Sequence, residues 1–414
     1  MIGDRFSYGP LELIGMNRRR FLYVTGMMGA IAGCSGQGAD PGTTNTPESA
    51  NLSVDDLSVA QSTVDAGESV RVSVDVANEG EESGERTVRL LVDGEEVGSR
   101  DIEVESGQST TIEFTVNAER PKTYTVSVGE LETSFEAVAT DVGGVIDSDT
   151  TWTTNDGPYT VVETVQVAEA ATLTIEPGVT VWADEDLGQD SMFLMHGKII
   201  ARGTSADRIT IDGGDNRPTI FDADGSPPDA FLHAEYCLFR NADSFWMRGY
   251  GGFNLRHSEL RDVGSSYIWY PYQGGRNGDK YLRSEINIEY NKFINSGGFS
   301  IGHDNVVTVN IRYNVFSGWR RANKGGLINN WASYDGSETI VEYNSFLEMT
   351  DEVVLKLPAG YDDAAMSASY NYWGTTDMDT IEDMIYDEND DIESAGEIPF
   401  TPILEEPHSD TPTV

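Results

Sequence analysis

The residues best suited to chemistry lie between positions 264 and 337 of a 414-residue chain. His303 and Asp304 are adjacent, and Arg320 and Lys324 follow closely. An imidazole, a carboxylate and a cation within hydrogen-bond reach of one another can move a proton to or from a substrate. The same region holds Tyr267, Trp269, Tyr270, Tyr272, Trp319 and Trp331, whose ring faces suit the C–H faces of sugars. Arg276, Lys280, Arg320, Arg321 and Lys324 can pair with carboxylates or sulfates. Two acidic loops offer oxygen ligands for Ca²⁺: Asp184, Asp186 and Asp190 in DEDLGQD, and Asp222, Asp224 and Asp229 in DADGSPPD. Neither follows the EF-hand spacing. No carboxylate pair is placed for glycoside hydrolysis, and five histidines without a recognisable pair make no case for zinc or copper. No cofactor is assigned, with Ca²⁺ the one candidate.

The element that positions these residues is legible in a recurring motif. EYNKF, RYNVF, EYNSF and SYNYW place Asn291, Asn314, Asn344 and Asn371 in equivalent slots, with Cys237 and Ser258 in the same slot earlier. Two residues after the slot stand Phe239, Leu260, Phe293, Phe316, Phe346 and Trp373. One before it stand Tyr236, His257, Tyr290, Tyr313, Tyr343 and Tyr370. Three before it stand Ala234, Leu255, Ile288, Ile311, Val341 and Ala368. In a straight strand, residues on one face are an even number apart. Positions −3 and −1 share a parity and +2 does not, so the inward face changes phase and the chain bends at the slot. Asn tolerates the left-handed conformation of such a bend, and its amide can bond the amide one rung above, about 4.8 Å away. The unit is one coil of a parallel β-helix, with Asn stacked at a corner and Phe stacked inside.

The slots are 21, 33, 23, 30 and 27 residues apart. A bare rung needs 21–23 residues, so two rungs carry insertions, around 264–281 and 318–337. Emerging at one corner, these would form walls about 10 Å apart, with NSGGFSIGHDN as floor. Between Arg240 and Lys356 the chain has 13 basic and 13 acidic residues, although its formal charge overall is −43. That locally neutral, aromatic-rich stretch supports a groove for an extended chain.

The charge bounds the setting. Seventy acids against 27 bases would repel the compact state in ordinary salt. A Debye length of ~3 Å in molar salt screens that repulsion, which points to a halophile. It also argues against nucleic acid as a partner. Two cysteines, Cys34 and Cys237, make no disulfide framework.

At the N-terminus, Arg18-Arg19-Arg20 precedes a short apolar run ending in Ile31-Ala32-Gly33-Cys34. The run is too short to span a bilayer. Arg18, Arg19 and the small residues before Cys34 resemble a Tat-type lipoprotein signal over 1–34, with Met16 as the start of translation. The resemblance implies export of the folded chain and lipidation of Cys34. Residues 35–50 form a low-complexity tether.

From 51 to 140, short runs of period two separated by NEGEESG, DGEE and ESGQS indicate a β-sandwich. VANEGEESGERTVRLLVDGEEVGSRDIEVESGQSTTIEFTV is similar to a CARDB-type Ig-like domain. After a hinge near 141–149, TLTIEPGVTVWAD, GKIIARGTSADRITI and NYWGTTDMDTIEDMIYD resemble the surface-protein branch, of haloarchaeal type, of the pectate-lyase-like right-handed parallel β-helix superfamily. This covers 145–405, with a closing cap from about 377 and a tail over 406–414. The resemblance implies a scaffold that hosts lyases, hydrolases and adhesins alike. Its lyases hold Ca²⁺ in an acid cluster beside an Arg or Lys base.

The fold expected is all-β: an Ig-like β-sandwich followed by a right-handed parallel β-helix. The function expected is a lipid-anchored surface protein that binds a glycan or another surface partner without catalysis. A polysaccharide lyase or glycoside hydrolase using the same groove is the alternative.

Overall fold

The computed structural model describes residues 49–414 apart from 189, 224–229, 249–251, 271–283, 304–306, 320–324, 332–337, 350–351 and 361–363. At 246, 248, 267–270, 284–285, 303, 307 and 319 it describes the backbone alone. The signal-like segment with Arg18, Arg19 and Cys34 lies outside the described residues.

The first module is a sandwich of two sheets. One joins Leu52–Val59, Ser69–Asn78 and Ser109–Asn117 in antiparallel order. The other runs Thr63–Asp65, Leu131–Val138, Lys122–Val128, Gly84–Val92 and Glu95–Val104. Alternation does the folding work: in SVRVSVDVAN, Val70, Val72, Val74 and Val76 are all fully buried while the residues between face out. Burying a Val side chain contributes about 1.5–3 kcal/mol, so four on one strand fix its face. The buried Asn78 ties the acidic NEGEESG turn together, donating to Glu82 and Val104 carbonyls and accepting from the amides of Asn51 and Gly80.

The second module coils through three parallel sheets. Among the described residues the first sheet has nine strands, from Thr150–Trp152 to Met366–Ser367. Each coil leaves it at the Asn slot, enters the second sheet, turns again, and enters the third. The coil at the second Asn shows the pattern: Val307–Arg312 on the first sheet, Val315–Trp319 on the second, Ile328–Asn330 on the third. Each strand pairs in parallel with the corresponding strand one coil away. The core holds Phe293, Phe316 and Phe346 in a continuous stack at 4.6 and 5.3 Å, ending against Trp373.

Three sequence expectations need correction. The residue in the left-handed conformation is the aromatic before the slot, not the Asn: Tyr236, His257, Tyr290, Tyr313, Tyr343 and Tyr370 have φ between 49° and 60°. The phase switch is real, but the bend turns these rings to the outside. The stretch 141–149 is no hinge, because Thr140–Ile146 is a strand paired in parallel with Tyr159–Val167. Nor does 318–337 form one wall. It contains the third-sheet strand Ile328–Asn330, just as 264–281 contains Ser266–Tyr270. Counting from Asn to Asn measures the length of a coil, but not where in the coil the extra residues sit.

At the far end, Asp377 caps helix Met378–Asp383, which buries Ile381 and is followed by the buried Met384. Residues 401–414 run back along the outside, where Thr411 donates to the Tyr343 carbonyl.

Candidate functional site

The corner of the coil is built from two parallel stacks. Inside, each of Asn291, Asn314 and Asn344 donates its side-chain amide to the next Asn oxygen at 2.9–3.0 Å. The same oxygen accepts the backbone N–H of the residue above. Ser258 and Cys237 extend the line, with Ser258 N–H on Asn291 and Cys237 N–H on Ser258. Burial pushes the Cys237 thiol up to about 12, so it is an unreactive core group.

Outside, the six rings from Tyr236 to Tyr370 stack at 4.8–5.3 Å, with neighbouring planes within 12°. His408 meets Tyr313 and Tyr343 edge-on at 5.2 Å. Burial chiefly lowers the pKa of His257 within the stack, favouring its neutral form there. Beside the rings the first sheet sets Arg202, Glu235, Arg256, Glu289, Arg312 and Glu342 in consecutive register. Arg256 reaches Glu289 at 2.9 Å and Arg312 reaches Glu342 at 3.3 Å. These rows pair along themselves through such contacts, although the buried Nε atoms of Arg256 and Arg312 have no hydrogen-bond partner among the described residues.

The third sheet is different. Register places Trp246 opposite Tyr267, Tyr267 opposite Ser300, Ser300 opposite Asn329 and Asn329 opposite Lys356. A second row runs Arg248, Trp269, Gly302. Trp331 donates its indole N–H to Ser300 Oγ at 2.9 Å. A Cβ on Gly302 would collide with that indole, so glycine lets the ring lie close against the strand. Lys356 holds its ammonium 4.3 Å over the Tyr386 ring.

The sheet thus brings Tyr267, Trp269, Tyr270 and His303 onto neighbouring strands beside Trp331, with Tyr270 opposite His303. Trp319 stands apart, at the end of a second-sheet strand. Tyr272, Arg276, Lys280, Asp304, Arg320, Arg321 and Lys324 lie outside the described residues, and with them most of the acid–base set. Sequence reasoning missed Ser300, Asn329 and Lys356. Single polar residues of ordinary type give no signal until register aligns them.

Among the described residues, no group of three or more His, Cys, Asp or Glu converges to hold an ion. Asp184 is used as the cap of the short helix Glu185–Leu187, accepting from Asp186 N–H at 2.8 Å. Asp190 joins no such group, and Asp222 accepts from Ser191. Asp224 and Asp229 lie outside the described residues.

Where the modules meet, Trp182 of the strand Thr180–Ala183 is 3% exposed and packs into the core of the sandwich. Arg120 of the sandwich reaches the fully buried carboxylate of Asp212, which also accepts from Arg240 at 2.8 Å and Asn241 at 2.9 Å. A cavity of about 320 Å³ lies beside them.

The sandwich geometry agrees with comparison to known families. Residues 49–130 match the CARDB family. No curated protein matches the chain. Similar solved structures include a β-glucosidase from Erythrobacter marinus, with 18% identity, 22% of this chain and 16% of that chain covered, and a TM-score of 0.21. A β-glucosidase from Listeria innocua in complex with glucose shows 17% identity over the same shares, with a TM-score of 0.18. The chain therefore spans about a sixth of each of these two proteins, and likenesses at these scores carry no argument about its fold or function.

Proposed function

We propose that the protein is an exported, lipid-anchored surface protein whose β-helix binds a glycan, or another surface partner, on its third sheet without catalysis. The observation that supports this is the contrast between sheets. Outward rows on the first sheet pair with themselves, whereas the third sheet aligns Ser300, Asn329 and Lys356 with a tryptophan laid over Gly302. Flat rings and uncharged hydrogen-bonding groups on a rigid sheet suit the alternating C–H and O–H surfaces of a sugar chain.

In this reading the coiled module belongs among pectate-lyase-like β-helices, which its Asn corner resembles. A lipid at Cys34 would hold the chain at the outer face of the membrane after Tat export, with the CARDB module as spacer. A second anchoring chain is implied, since one acyl chain holds a protein only marginally. The charge of −43 suits a high-salt medium.

The test is incubation of the folded chain, in molar KCl with and without Ca²⁺, with a panel of neutral and acidic polysaccharides. Retention without new chain ends is expected. New unsaturated or reducing ends would make it a lyase or hydrolase, and absence of retention on every polymer would remove the glycan.

A further inference from the structure

The two ends of the coiled module are finished differently. The far end is closed by helix Met378–Asp383, which buries Ile381. The near end begins with Thr140–Ile146, which pairs in parallel with Tyr159–Val167 and with no other strand among the described residues. One side of this strand is therefore an unpaired edge, and it is open to solvent: Val145 is 63% exposed. Proteins commonly shield such edges with charge. The sandwich does so, since its edge strand Glu95–Val104 carries Glu95, Glu96, Arg100, Asp101 and Glu103. TDVGGVI carries only Asp141, in a chain with 70 acids among 414 residues.

The edge has the geometry to pair with itself. Thr140 donates its N–H to the Pro158 carbonyl, and the Ile146 carbonyl accepts from the N–H of Ala168, so the even-numbered residues bond to the neighbouring strand. Successive residues turn their backbone groups to opposite sides, which leaves those of Asp141, Gly143 and Val145 on the open side. The strand also turns a corner at its middle. Residues 140–142 lie beside 159–161 and residues 144–146 beside 165–167, with Gly144 at φ 73°. A two-fold axis through Gly143 exchanges the two halves of that corner. It sets Gly143 opposite Gly143, and Asp141 opposite Val145 of a second copy. Each of these is then a hydrogen-bonded pair, and no acid of the strand faces an acid.

We propose that Thr140–Ile146 is a homodimer interface, through which two copies join edge to edge in antiparallel fashion and their coils run end to end. The occupant is a second copy because the edge answers itself, in backbone hydrogen bonds and in charge, about one axis. Gly143 keeps that axis free of side chains. Two chains of charge −43 repel each other, so contact forms where the acids are sparse, and molar salt screens the remainder. A seven-residue strand makes a small contact, which sets the affinity in the weak range. The inference is independent of the glycan reading.

The experiment is sedimentation velocity of the full chain in molar KCl, from about 1 to about 100 µM, the range suited to a small interface. The native protein is expected to pass from monomer to dimer across that range. Val145→Asp sets a carboxylate opposite Asp141 twice per dimer, and should raise the dissociation constant at least tenfold. Val145→Lys sets a cation there instead and should dimerise within threefold of the native protein. The double variant Asp141→Lys with Val145→Asp restores opposite charges and should recover dimerisation. Both positions are exposed, so the circular dichroism spectrum should be unchanged throughout. A native protein that stays monomeric at about 100 µM would overturn the proposal, and would leave the edge to another segment or partner. Native-like dimerisation in Val145→Asp would overturn it too, by placing the contact elsewhere. So would a loss in Val145→Lys as large as in Val145→Asp, or a double variant that fails to recover.

Discussion

Asn314 shows how much one residue does in this fold. Its oxygen takes two hydrogen bonds from Asn291, and its nitrogen gives two, to Asn344 and to the Ile288 carbonyl. Such a residue is visible in the sequence, because its chemistry repeats at every coil. Cys237 occupies the same slot with no amide, and its thiol contacts the Ala201 carbonyl at 3.5 Å. Its behaviour with pH follows from burial, which raises its pKa to about 12. The folded state therefore holds the proton where the unfolded chain, with an ordinary thiol pKa near ~8.5, releases it. The resulting stabilisation is complete below that unfolded value and is lost as pH rises toward 12. Denaturant midpoints from pH 7 to 11 should fall more steeply for the native protein than for Cys237→Ala. Parallel pH profiles would contradict this, whatever the offset between them.

At the scale of the element, the corner owes its shape to a compromise the sequence did not disclose. Placing Tyr313 at φ 55° costs a residue with a Cβ roughly 1–2 kcal/mol. Stacking between Tyr290 and Tyr343 at 4.9 and 5.0 Å offsets it. Tyr313→Gly removes both the cost and the stacking, while Tyr313→Ala removes only the stacking. The Ala variant should therefore be the less stable of the two by about 1 kcal/mol, read from chemical denaturation in molar salt. An Ala variant as stable as the Gly variant would mean that the left-handed backbone is not the deciding cost. The motif revealed the coil because Asn and Phe recur in one-dimensional order. It could not reveal that Tyr, rather than Asn, bends, since both explanations have the same parity. Nor could it separate Ser266–Tyr270 and Ile328–Asn330 from the loops around them, because short third-sheet strands carry no periodic signal. The described parts of the two expected walls, Ser266–Tyr270 and Ile328–Asn330, are strands of one sheet for that reason.

At the scale of the molecule, the two modules were legible as separate textures, but their junction was not. Arg120 and Asp212 are 92 residues apart and belong to ordinary-looking strings, yet they meet over a carboxylate with no exposed surface. Trp182 lies in a strand of the β-helix, yet it packs into the core of the sandwich. The CARDB module is thus fastened to the coil rather than strung beside it. Trp182→Ala should cost about 3–5 kcal/mol at the junction and allow the modules to move apart, seen as an increase in radius of gyration by small-angle scattering. An unchanged radius and native protease resistance between the modules would contradict that fastening. A rigid junction matters to function because it would hold the third sheet at a fixed attitude to whatever surface carries the chain.

The central claim is that this sheet is a binding surface, and Trp331 tests it most directly. The ring is held against Gly302 and bonded to Ser300, at the edge of the coil rather than in its core. Affinity for the best-retained glycan, measured by calorimetry in molar KCl, should fall at least tenfold in Trp331→Ala, with the circular dichroism spectrum of the coil unchanged. An affinity equal to that of the native protein would contradict the account.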